Sequence, residues 1–106
     1  MNQKSILILK AIKNRLHIKF NFISDIILFG SRATGKAFRF SDYDVLIIVN
    51  HPISWKEERE IVDEVYLIDL EYNILTDVKI ISKQELKTLR GRQPYIQHAI
   101  KEGIRA

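Results

Sequence analysis

The chain has no cysteine, and only two prolines and four glycines in 106 residues. Without cysteine, disulfides and thiolate metal sites are excluded, and a reducing compartment suits the chain, so a cytoplasmic protein is expected. No apolar run approaches the ~20 residues needed to cross a bilayer, so no membrane partner is expected. Ile6-Leu7-Ile8-Leu9 lies near the N-terminus without a small-residue cleavage site, so no signal peptide is expected. There are no repeats, low-complexity tracts or linkers. A single domain over residues 1–106 is expected, near the usual domain size.

Apolar residues make up 46% of the chain, enough for one compact core. The net charge is +4, and part of the excess is local: Lys79, Lys83, Lys87, Arg90 and Arg92 fall in one short region. A mildly basic surface explains this most simply. A preference for anionic ligands such as nucleotides is the functional alternative. That region has no aromatic interleaving and no reader motif, so nucleic acid is not an expected partner.

Periodicity places the elements. Ile8, Leu9, Ile12 and Leu16 recur at helical spacing and predict a helix over about 3–18. The run Ile26 to Phe29 predicts a first strand covered on both faces. Tyr43 to Val49 predicts a second, ended by Asn50-His51-Pro52. Ser54-Trp55-Lys56-Glu57 fits a capping box, and Ile61, Val65, Ile68 and Tyr72 continue a helix that stops at Asn73. Val65 to Leu70 read alone would also suit a strand, but the cap and the acidic first turn favour helix. Trp55 is expected to be a packing anchor. Asp69 and Glu71 are expected to be solvated on that helix.

Ile74 to Ile81 predicts a third strand, with Asp77 inside it. Ser82-Lys83-Gln84-Glu85 is a second capping box and predicts a helix interrupted by Gly91. Pro94 opens a last helix that Gly103 ends. The fold class expected is α/β (α+β): a small mixed sheet of about three strands with helices packed on it.

The most informative stretch is Gly30 to Asp44, GSRATGKAFRFSDYD. It opens on a glycine-serine turn after the first strand. It closes on Asp42 and Asp44, one residue apart at the head of the second. Alternate residues of a strand share a face, so these two carboxylates point the same way and repel each other. A divalent cation relieves that repulsion, and Mg²⁺ favours a few carboxylates plus phosphate oxygens. The glycine-serine turn offers backbone N–H groups and a hydroxyl for such phosphates, and a short helical turn over 32–36 would aim more N–H groups at them. Gly30 to Lys36 also satisfies the front of a P-loop, G-x-x-x-x-G-K. However, Ala37 follows where a hydroxyl is needed for Mg²⁺, and the next strand begins too soon for the P-loop helix.

Gly30-Ser31, ten residues, then Asp42-Tyr43-Asp44 resembles the signature of minimal nucleotidyltransferases (MNT) of the polymerase-beta-like superfamily. Arg32, Gly35 and Ser41 match as well. The resemblance covers nearly the whole chain, but its specific motif is confined to 30–44. It implies a nucleotidyltransferase fold and a Mg²⁺-dependent transfer, with two metal ions, of a nucleoside monophosphate from ATP or another nucleoside triphosphate. By resemblance, Asp42 and Asp44 hold the metal. Asp77 is the third carboxylate, serving the attacking group as metal ligand or base. Gly30, Ser31, Arg32 and Ser41 attend the nucleotide. Two alternatives stay open: Arg32 could brace the loop, and Asp77 could simply pair with Lys79. The first two strands must run antiparallel and the last two parallel for these groups to meet.

Larger members of that superfamily carry a second domain for the acceptor, which is not expected here. It is most similar in size to antitoxins of HEPN/MNT toxin–antitoxin pairs. These are implied to transfer AMP from ATP to a tyrosine of a small helical HEPN partner. A non-catalytic antitoxin or structural subunit that masks its partner is the alternative reading, and transfer to a small molecule such as an antibiotic is a weaker one. A homo-oligomer is possible for so small a domain. His17, His51 and His98 are scattered and are not expected to be ligands.

Overall fold

The computed structural model describes residues 3–35 and 42–106. Helix α1 (Gln3–Lys19) buries the expected stripe of Ile8, Leu9, Ile12 and Leu16. Strand β1 (Ile23–Phe29) begins three residues before the apolar run, because Ile23 is itself buried and pairs with Val49 across an irregularity in register. A four-residue helix, α2 (Ser31–Thr34), follows the turn at Gly30. Strand β2 (Tyr43–Val49) has the predicted bounds.

Helix α3 (Trp55–Tyr72) starts from the capping box: the Glu57 N–H donates to Ser54 Oγ, and the Ser54 N–H donates to Glu57 Oε1. It stops at Asn73, whose φ of 54° is left-handed. Trp55 is not a packing anchor. It stands on the first turn outside the buried stripe of Ile61, Val65 and Ile68 and is 81% exposed.

Strand β3 (Thr76–Ser82) is followed by a second difference from expectation. The Ser82–Glu85 box forms, with both reciprocal hydrogen bonds at 3.1 Å. What it opens is two short 3₁₀ turns, Glu85–Lys87 and Arg90–Arg92, rather than an α-helix. Arg90 explains the tight path. Its guanidinium donates to the Ile80 carbonyl at 2.7 Å and to Glu85 Oε2 at 2.6 Å, drawing the segment back onto β3. Gly91 permits this, since any side chain there would collide with the Leu86 backbone. Helix α4 (Pro94–Glu102) has proline in its first turn and ends at Gly103.

The sheet has four strands, one more than the approximate three expected. Their order is β3-β2-β1-β4, where β4 is the two-residue Ile104–Arg105. β1 runs antiparallel to β2 and to β4, and β2 runs parallel to β3 through the α3 crossover. Arg105 also pairs with Asp25 at 2.9 Å. One face of the sheet packs Val45, Ile47 and Leu28 under α1 and α3. The other packs Ile27, Leu46 and Ile48 with Ile96 and Ala99 of α4. Coverage of both faces accounts for the unbroken apolar runs of β1 and β2. Among the described residues, no helix is long and apolar enough to cross a membrane.

Candidate active site

Sheet register assembles the site. Phe29, the last residue of β1, lies opposite Asp44 on β2, and Asp44 lies beside Asp77 on β3. Neighbouring strands are about 4.8 Å apart, so two carboxylates share one face at one end of the sheet. Asp42, exposed, immediately precedes β2.

Gly30 carries the chain past this cluster with φ 73° and ψ −155°, a region essentially restricted to glycine. A Cβ there would run into Asp44 Oδ2. The turn therefore lies directly against the carboxylate, and only glycine fits both the angle and the gap. Ser31 and Arg32 open α2 behind it. The Arg32 guanidinium sits over the Tyr43 ring, 4.4 Å from its centroid, and ties the turn to β2. Tyr43 is buried on the opposite face from Asp44, so this contact braces the loop from behind. Among the described residues its hydroxyl has no hydrogen-bond partner.

The phase of β3 is held by a residue expected to be solvated. Asp69 is only 9% exposed. Its carboxylate accepts from the Thr76 N–H at 3.2 Å and from the Thr76 hydroxyl, one residue before Asp77. The Tyr43 N–H donates to the Leu75 carbonyl at 2.9 Å, fastening the same junction to β2. Burial pushes the Asp69 carboxyl above its ordinary range against these hydrogen bonds, and the charge of Asp42 adds to the push. The only sequence signal for this role was an aspartate on the last helical turn, seven residues before a threonine that opens a strand.

Electrostatics mark Asp44 as the centre. Burial pushes its carboxyl above the usual range. The charges of Asp77 and Asp42 push the same way, and Lys79 opposes them. Asp77 and Lys79 are ion-paired, Oδ1 to Nζ, at 3.4 Å. Among the described residues no three His, Cys, Asp or Glu side chains form a ready-made metal cage. The arrangement still fits magnesium: acids that repel one another and offer hard oxygen donors that are partly exposed.

The family model described as a nucleotidyltransferase domain matches residues 9–105. The chain belongs to the nucleotidyltransferase domain family. No curated protein sequence matches this nucleotidyltransferase. Among solved structures it is similar to a toxin–antitoxin complex with AMP-PNP, at 18% identity and TM-score 0.60, over 99% of this chain and 72% of that one. It is also similar to a complex of tri-AMPylated Shewanella oneidensis HEPN toxin with MNT antitoxin, at 16% identity and TM-score 0.59, over 95% and 70% of the two chains. A putative nucleotidyltransferase from Sulfolobus solfataricus shares 21% identity at TM-score 0.53, over 97% and 82%. At these identities the likeness is one of fold.

Of the residues expected to serve the nucleotidyltransferase site, Gly30, Ser31, Asp44 and Asp77 occupy one end of the sheet, with Asp42 at its margin. Arg32, also expected at the nucleotide, lies over the Tyr43 ring. Ser41 lies outside the described residues, as does Lys36 of the P-loop-like run. β2 begins at Tyr43, too soon after Gly35 for a P-loop helix to intervene.

Proposed function

We propose that this nucleotidyltransferase moves AMP from ATP to a partner protein, as the antitoxin of a HEPN/MNT-type pair, with Asp42, Asp44 and Asp77 as its catalytic carboxylates. The observation that carries the reading is the in-register pairing of Asp44 with Asp77 directly against the Gly30 turn. The fold shared with an MNT antitoxin in complex with an AMPylated toxin supports the choice of acceptor.

In this reading Asp42 and Asp44 hold the metal, and Gly30 and Ser31 meet the triphosphate through backbone N–H and hydroxyl. Ser41 is assigned to the nucleotide as well. Held by Asp42 and Asp44, Mg²⁺ would supply neutralisation of charge on the phosphates. Asp77 orients the acceptor hydroxyl or takes its proton. The hydroxyl oxygen bonds to the α-phosphorus, the bond from that phosphorus to the β-bridging oxygen breaks, and pyrophosphate leaves. Such chemistry is mostly positioning and charge neutralisation, which is what a rigid sheet edge supplies.

The test is incubation of purified protein with Mg²⁺, ATP labelled at the α-phosphorus, and a co-expressed helical partner. Label is expected on a partner tyrosine, and none with Asp42→Ala/Asp44→Ala. An unlabelled partner whose neutralisation survives the double substitution would replace transfer with simple masking.

A further inference from the structure

Lys79 sits two residues beyond Asp77 on β3, so both side chains project from the same face of the sheet. In register, Lys79 lies beside Leu46, one step inward from Asp44 on that face. Its ammonium is 3.4 Å from Asp77 Oδ1 and 5.9 Å from the centroid of the Tyr95 ring on α4. Both members of the ion pair are almost half exposed, so the pair is weak and open to exchange. The aromatic face offers the ammonium a second resting place within cation–π range.

We propose that Lys79 is a built-in counter-ion that occupies Asp77 in the metal-free protein and competes with the divalent cation for it, the ammonium withdrawing to Tyr95 when the cation binds. This rests on the assignment of Asp77 to the metal site made above. Lys79 is thus a positioning residue that sets how much cation is needed before the third carboxylate becomes available. Without it, the acids at this end of the sheet would face each other uncompensated. With it, the site stays closed to adventitious cations until one binds strongly enough to displace an ammonium.

The experiment is titration of the purified chain with Mn²⁺, followed by electron paramagnetic resonance of the free ion, with circular dichroism as a check on folding. Lys79→Met keeps the apolar stem and removes the charge. It is expected to tighten Mn²⁺ binding by about 1.4- to five-fold, the range an exposed ion pair supplies. Lys79→Arg should restore the original affinity. Lys83→Met makes the same change in net charge at the far end of the strand and should alter nothing. In an Asp77→Asn background, Lys79→Met should tighten binding clearly less, since only its longer-range charge at Asp44 is then removed, which separates local pairing from a general field. If Lys79→Met leaves affinity unchanged or weakens it while the unsubstituted protein binds Mn²⁺, the proposal is overturned and the metal assignment stands. If the unsubstituted chain and Lys79→Met both fail to bind Mn²⁺, the metal assignment and the proposal fall together.

Discussion

Gly30→Ala tests the geometry of the site most directly. Two costs add at that position. The backbone lies at φ 73°, ψ −155°, where a residue with a Cβ is strained by roughly 1–3 kcal/mol. The new methyl also meets Asp44 Oδ2, so either the carboxylate rotates off the site or the turn lifts from β2. Turning the carboxylate out of its rotamer costs roughly 0.5–1.5 kcal/mol more. Gly35→Ala is the internal control: φ is also positive, at 77°, but nothing lies within 4 Å of the added carbon. That change should cost only about 1–2 kcal/mol. Urea unfolding of both variants should rank Gly30→Ala well below Gly35→Ala, with similar m-values. Adding Asp44→Ala to Gly30→Ala should recover part of the loss, a coupling on the order of 1 kcal/mol. Equal costs at the two glycines, or strict additivity with Asp44→Ala, would refute the contact and with it the placement of the turn against the acid.

Three further outcomes follow from the same structure. Asp44→Asn should stabilise the metal-free protein at neutral pH while abolishing transfer. Because the folded carboxyl titrates above its ordinary value, its penalty is complete above the folded pKa and fades as pH falls toward about 3.9, so the variant's advantage should vanish in acid melts. Asp69→Ala removes both acceptors of Thr76 and should cost about 1–3 kcal/mol by urea unfolding, with a fall in transfer rate larger than that loss of folded protein explains. Ser54→Ala breaks the α3 capping box and should cost about 1 kcal/mol in denaturant while leaving the transfer rate of the folded protein intact.

What was legible in the sequence is what depends on local pattern. β2 begins and ends as its apolar run does, α3 starts at its capping box and stops at Asn73, and α4 opens on Pro94. The antiparallel and parallel pairings followed from requiring the Gly-Ser turn and the aspartates to meet. What was not legible depends on contacts distant in sequence. β4 has two residues and no periodicity of its own; it pairs with β1 because Gly103, extended and without a side chain, lets the chain lie against Ile27 and Leu28. The segment after Ser82 has a helix start signal, but Arg90 reaches back to Ile80 and tightens it into 3₁₀ turns. Trp55 falls on the exposed side of a helix whose cap is correct, since a cap fixes where a helix begins and not which face it buries. Asp69 looked like one more acid on a polar helix, and its burial arises only when β3 returns beneath it.

The register of β3 decides whether there is a site at all. Side chains alternate along a strand, so a slip of one residue against β2 would turn Asp77 away from Asp44 and bring Thr76 or Val78 onto the site face. In the lower half of β3 burial does little to prevent this, since Thr76 and Val78 are only partly covered and Asp77 and Lys79 are exposed; the buried residues are Ile80, Ile81 and Ser82, at the other end. The phase at the Asp77 end is therefore held by polar contacts. Asp69 grips Thr76 through two hydrogen bonds, and Leu75 accepts from Tyr43. The left-handed Asn73 fixes how many residues separate the helix from that grip. A buried carboxylate held above its ordinary pKa is a poor choice for stability alone. It is accounted for by what it positions: Asp77, one residue on, beside Asp44.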